Sequence, residues 1–227
     1  MRANGSALIG SFGRHDQMVD ATMGNPTGYL RFNGNRSEAD DYHDGAGRQV
    51  PSAWMKWNAE ASAAWTPGAN AVLELGVARG DGQARYAGRS MDGSQFLREG
   101  EALRYQHAAL PGILETAEVS LYRNRADHVM DNYTLRNPNP DGMGTMPNPT
   151  AGHTRRESLQ SGFARLQGGG KGALQWVVGL GHNQRMPEYW ELFSPNRGPQ
   201  GAANAFAGVR PETTTQWDAG VQYRQPR

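Results

Sequence analysis

Between Ser52 and Trp65 the chain reads SAWMKWNAEASAAW. Its odd positions are Ala53, Met55, Trp57, Ala59, Ala61, Ala63 and Trp65; its even ones are Ser52, Trp54, Lys56, Asn58, Glu60, Ser62 and Ala64. A strand sends successive side chains to opposite faces, so this stretch would carry one apolar face and one largely polar face. Trp57 and Trp65 stand on the apolar face, where they suit an interfacial girdle if that face meets lipid.

The pattern repeats outward from there. Ala71, Leu73, Leu75 and Val77 alternate with Glu74, Gly76 and Ala78, and Trp217, Ala219, Val221 and Tyr223 with Gln216, Asp218, Gly220 and Gln222. Leu174, Trp176, Val178 and Leu180 do the same less cleanly, and helical periodicity is nowhere sustained. The expected fold is all-β. Tight connections are expected at Asn25-Pro26-Thr27-Gly28, Thr66-Pro67-Gly68-Ala69, Leu110-Pro111-Gly112 and Gly168-Gly169-Gly170, and long ones over 36–50, 82–98, 124–152 and 185–210. Short and long links in alternation are the habit of outer-membrane barrels, whose periplasmic turns are short and extracellular loops long. A soluble β-sandwich is the competing architecture. The expected apolar face is rich in Ala and Trp and poor in the branched residues an inter-sheet core prefers, which favours an antiparallel up-and-down transmembrane barrel wall of about ten strands. The lipid-facing set would include Ala59, Ala61, Leu73, Leu75, Val119 and Val221.

Composition narrows the function. The 227 residues carry a net charge of +1 with no Lys/Arg-rich block, so nucleic acid is not an expected partner. No Cys is present, which removes disulfides and thiolate metal sites from this chain. No apolar run reaches the roughly 18 residues of a transmembrane helix. The opening MRANGSALIG lacks the pattern of a signal peptide, so localisation must be read from the fold.

The chemistry gathers in DHVMDNYTLRNPNPDGMGTMPNPTAGH, Asp127 to His153. His128, Met130, Met143, Met146 and His153 sit among Asn, Pro and Gly, which mark a long exposed loop. Imidazole and thioether are soft donors, and thioether selects Cu(I) over hard cations. The strand before the loop, from about Leu114 to Asn124, would place Ala117, Val119 and Leu121 toward lipid. Continued alternation puts His128 and Met130 together on the lumen side, provided the backbone stays extended there. These two are the expected metal ligands, with Met143 and Met146 as secondary or entry sites; His43 and Met91 lie in neighbouring connections.

Two later stretches carry a family resemblance. RMPEYWELFSP, Arg185 to Pro195, resembles the Arg-x-Pro…Glu-Leu-Phe motif of TonB-dependent outer-membrane receptors, and RPETTTQWDAGVQYR, Arg210 to Arg224, resembles the strand that follows it there. GSFGRHD, Gly10 to Asp16, looks like their first barrel strand after the plug, and with HVMDNYTLR the chain is most similar to the TonB-dependent copper receptors. The resemblance implies a bacterial outer-membrane location, copper as the transported ligand, surrounding lipid, and coupling to the TonB complex through a plug domain. It also implies a closed barrel of about 22 strands with a plugged lumen. Residues 1–227 would then be a barrel fragment without its plug, with an internal gap expected near 149–153.

Other functions are weighed against this one. A receptor for a siderophore or other metal chelate would need aromatic and cationic loop surface, for which Tyr122, Tyr133, Arg123 and Arg136 are available. For an enzyme, Ser94, Ser158 and Ser161 have no His at a motif spacing, so no catalytic set is expected.

Overall fold

The computed structural model describes residues 1–89, 91–137, 152–169, 173–186 and 210–223. Ten strands form one antiparallel sheet in chain order: β1 (Arg2–Ile9), β2 (His15–Asn25), β3 (Gly28–Ala39), β6 (Trp54–Gly68), β7 (Ala71–Ala84), β8 (Asp92–His107), β9 (Leu114–Asp131), β10 (Gly152–Gly168), β11 (Leu174–Arg185) and β12 (Glu212–Tyr223). The two-residue strands β4 (Tyr42–His43) and β5 (Gln49–Val50) pair with each other within the β3–β6 connection. Each long strand pairs with its sequence neighbours, which is the up-and-down order of a barrel wall.

Local chemistry explains the tight turns. Asn25 Oδ1 accepts from the backbone N–H and the hydroxyl of Thr27, at 2.9 and 2.8 Å, closing an Asx turn between β2 and β3. Gly112, after Pro111, takes φ 84°, a left-handed conformation that glycine adopts without a Cβ clash. GSFGRHD departs from the expected first strand. Phe12 and Gly13 have φ 59° and 64°, which bends Gly10–Arg14 into the turn between β1 and β2.

The strands also run further than turn composition suggested. The expected 82–98 connection shrinks to residues 85–91, and β9 continues through Asp131. Asp127–Asp131, read above as the start of an exposed loop, is therefore strand. Gly152 and His153 are strand as well, paired with Asp131 and Met130. Ladder hydrogen bonds between β9 and β10 outweigh the local turn preferences there.

Tracing the register across the sheet shows the character of its two faces. One row runs Leu30, Ala63, Leu75, Leu103, Leu121 and Gly162; the next below runs Trp65, Leu73, Tyr105, Val119, Ala164, Leu180 and Trp217. The opposite face carries Tyr29, Glu74, Arg104, Glu118 and Tyr122, joined by Tyr29–Glu74 and Arg104–Glu118 hydrogen bonds. The apolar band runs obliquely to the register. In β3 and β6 it reaches up to Gly34 and Ala59, in β8 and β9 it stops at Leu103 and Leu121, and in β12 it starts lower still, at Trp217. A level hydrocarbon slab crossing tilted strands cuts the ladder in this way. The eight-residue step from Trp57 to Trp65 spans about 26 Å along a strand, which a tilt of about 40° reduces to roughly 20 Å along the membrane normal, most of the height of an outer-membrane apolar band.

The buried apolar side chains among the described residues are Ala64, Ala71, Met91 and Met130, while Trp217 is 78% exposed and Val221 72%. Among the described residues no inter-sheet core forms, as the sandwich would require. An apolar face this extensive needs an apolar surrounding.

Candidate metal centre above the membrane

On β9 the outward positions change from Ala117, Val119 and Leu121 to Arg123, Arg125 and Asp127. His128 and Met130 therefore lie beyond the membrane-spanning part of the strand, and their even numbering keeps both on the inner face. The extended backbone that this pairing needs is present. Met130 is buried, and its ladder partners are Gly93 on β8 and His153 on β10. His128 is paired with Phe96 and Arg155.

The imidazole of His128 meets the Phe96 ring edge to face, with centroids 4.6 Å apart. Gly93 permits this approach, because a Cβ there would collide with the Phe96 ring. His128 Nε2 is buried and has no hydrogen-bond partner among the described residues. A buried polar atom without a partner is costly, and a metal ion is one group that could complete it. Burial, helped by the positive charges of Arg155 and Arg98, pushes the His128 pKa below its ordinary 6.5. The ring is thereby held neutral, the form that ligates metal.

The top of β9 is held by two carboxylates. Asp92 and Asp131 face each other across β8 and β9, an arrangement that repels unless each is separately bound. Asp131 accepts from Ser94 Oγ at 2.6 Å, Thr134 N at 2.7 Å, Thr134 Oγ1 at 2.8 Å and Tyr133 N at 3.1 Å. Asp92, fully buried, accepts from Tyr86 N at 2.9 Å and from both Nε and Nη2 of Arg136. Arg136 also donates to the carbonyls of Arg89 and Tyr86. The connections at 85–91 and 132–137 are thus tied together around one ion pair. A second tie forms where Asp41 accepts from Ser52 N, Ala53 N, Gln49 and Arg85, fastening the β4–β5 hairpin.

The structure brings His128 and Met130 together on one face. Met143 and Met146 lie outside the described residues, as does most of RMPEYWELFSP. His43 is on the exposed β4–β5 hairpin, whereas Met91 is buried beside Asp92. Ser94 and Ser161 are engaged by Asp131 and Asn183 rather than by a histidine. Sequence reasoning missed Phe96, Gly93, Arg98 and Arg155. Their signal was the continuation of the period-two pattern of β8 and β10 past their turn-rich ends.

No family model matches the chain, and no curated protein matches it. A solved structure described as "Copper transporter OprC" does, at 35% identity and a TM-score of 0.62, over 99% of this chain. The chain is similar, end to end, to a copper transporter. It spans about half of OprC, covering 51% of that chain. The likeness to OprC supports a copper-receptor-like barrel, in agreement with the family resemblance of the late motifs.

Proposed function

We propose that this chain is part of the barrel wall of a TonB-dependent importer of the bacterial outer membrane, and that copper ions are its cargo. His128 and Met130 capture the ion just above the membrane on the lumen side, while Met143 and Met146 serve as entry donors. The observation that carries this reading is the buried, unpartnered Nε2 of His128, two residues from a buried thioether on the same strand face. Its support is the similarity to OprC. Neither donor is preferred by Mg or Ca, so the site selects against both. Neutral imidazole and thioether donors favour singly charged Cu(I). Two donors leave the coordination incomplete. A plug domain in the lumen would supply the remaining ligands and the contact with the TonB complex.

Changing His128 and Met130 together to Ala is expected to abolish tight copper binding and uptake by the complete receptor, measured as metal content of the purified protein and as cellular accumulation. Unchanged stoichiometry and uptake would remove the pair from the site.

The pH dependence follows from the depressed His128 pKa. Protons compete with copper only when the ring can bind them, so affinity should hold down to pH values below 6.5 and weaken under more acid conditions. In Arg155→Gln the midpoint should move up toward 6.5. A midpoint identical in both proteins would show that Arg155 does not act on this ring.

A further inference from the structure

On the outer face of β7 to β10, immediately beyond the apolar band, four arginines form a ladder with the three carboxylates they pair with. Glu99 lies between Arg79 and Arg125, at 3.6 Å from each. Arg123 stands 3.7 Å from Glu101, and Arg156 2.8 Å from Asp127. The register explains the grouping: Arg79, Glu99 and Arg125 share one cross-strand row, and Glu101 and Arg123 share the next, one step above Leu103 and Leu121. Three of these ion pairs are too long to be hydrogen bonds. Exposed pairs of that length contribute about 0–1 kcal/mol, so stability does not account for them. Arg79, Arg125 and Arg156 are each more exposed than the carboxylate they pair with, while Arg123 and Glu101 are both open to the surroundings. Arg156 is 71% exposed while its partner Asp127 is 8% exposed, and Arg79, Arg123 and Arg125 are each more than half exposed.

We propose that this ladder binds the phosphate headgroups of lipids in the surrounding membrane leaflet. The inference rests on the wall standing in a membrane, and it is independent of the copper centre, which lies on the opposite face. Position and chemistry agree. The arginines occur where the outward positions turn from Leu to charge, the level at which headgroups begin. The planar guanidinium fork matches a phosphate in two parallel hydrogen bonds, and Arg79, Arg123 and Arg125 hold donors not committed to their long carboxylate contacts. A headgroup seated between the Arg79 and Arg123 rows would also leave its acyl chains alongside Leu75, Leu103 and Leu121.

The test is native mass spectrometry of the complete receptor, released from micelles containing equal phosphatidylglycerol and phosphatidylcholine. The wild type should retain the anionic lipid preferentially. Arg79→Gln, Arg123→Gln and Arg125→Gln combined should lower that preference by roughly tenfold or more, because each basic residue near an anionic surface adds to the attraction. The same three positions changed to Lys should keep most of it, and Glu101→Gln should raise it. These last two variants keep the proposal testable if the triple Gln protein does not fold. Equal preference in wild type and triple Gln would overturn it, as would loss in the Lys variant or no rise in Glu101→Gln. Displacement of the lipid by inorganic phosphate at equal concentration would overturn it too, since the site would then be a general anion site. Copper binding measured on the same variants should be unchanged, so failure of this inference and failure of the copper reading are told apart.

Discussion

Replacing Arg136 with Ala is expected to destabilise the top of the sheet by about 3–5 kcal/mol, the cost of leaving a buried charge without its partner. Asp92 has no solvent exposure, and without the guanidinium its carboxylate would keep only the Tyr86 N–H. The carbonyls of Tyr86 and Arg89 would lose their donor in the same step. The effect should be regional rather than global, because the ladder below β8 residue 98 does not depend on this pair. Hydrogen exchange should therefore accelerate in residues 85–94 and 129–137 while the strands near Leu103 and Leu121 stay protected. Exchange unchanged at Tyr86 would show that the pair does not hold the connections. Copper affinity should fall as well, since the end of β9 carries His128 and Met130.

The second large effect is expected in the membrane. Leu75→Arg places a charge in the middle of the apolar band and should cost roughly 2–4 kcal/mol in an assembled barrel. Glu60→Arg, on the other face, should be tolerated within a few tenths to about 1 kcal/mol, the range of an exposed surface change. Ala59→Arg should fall between the two, because Ala59 shares its row with Arg79 at the edge of the band. Folding into vesicles followed by denaturant titration measures all three. Equal costs for Leu75→Arg and Glu60→Arg would contradict the assignment of the faces.

Much of this was legible in the sequence because a strand has a period of two. SAWMKWNAEASAAW declares which of its positions meet lipid without reference to any other part of the chain, and the same period carried His128 and Met130 to one face. The strand ends were not legible. Gly, Ser and Asp between 82 and 98 read as loop, yet the ladder continues there and on into Asp131 because Asp92 and Asp131 find donors some forty residues away, in Arg136 and Ser94. Propensity is local, whereas those partners are brought near only by the fold. The Phe96–His128 contact was hidden for the same reason, as it depends on cross-strand register and on the missing Cβ of Gly93.

The oblique path of the apolar band has a consequence for assembly. A hairpin paired one residue out of step would turn its polar face outward, presenting Arg104 and Glu118 to hydrocarbon where Leu103 and Val119 belong. A basic side chain misplaced at the midplane carries a penalty of about 2–4 kcal/mol. The bilayer would then act as a proofreader during insertion, rejecting mispaired hairpins before the wall is complete and sparing the sequence the need for a specifying core.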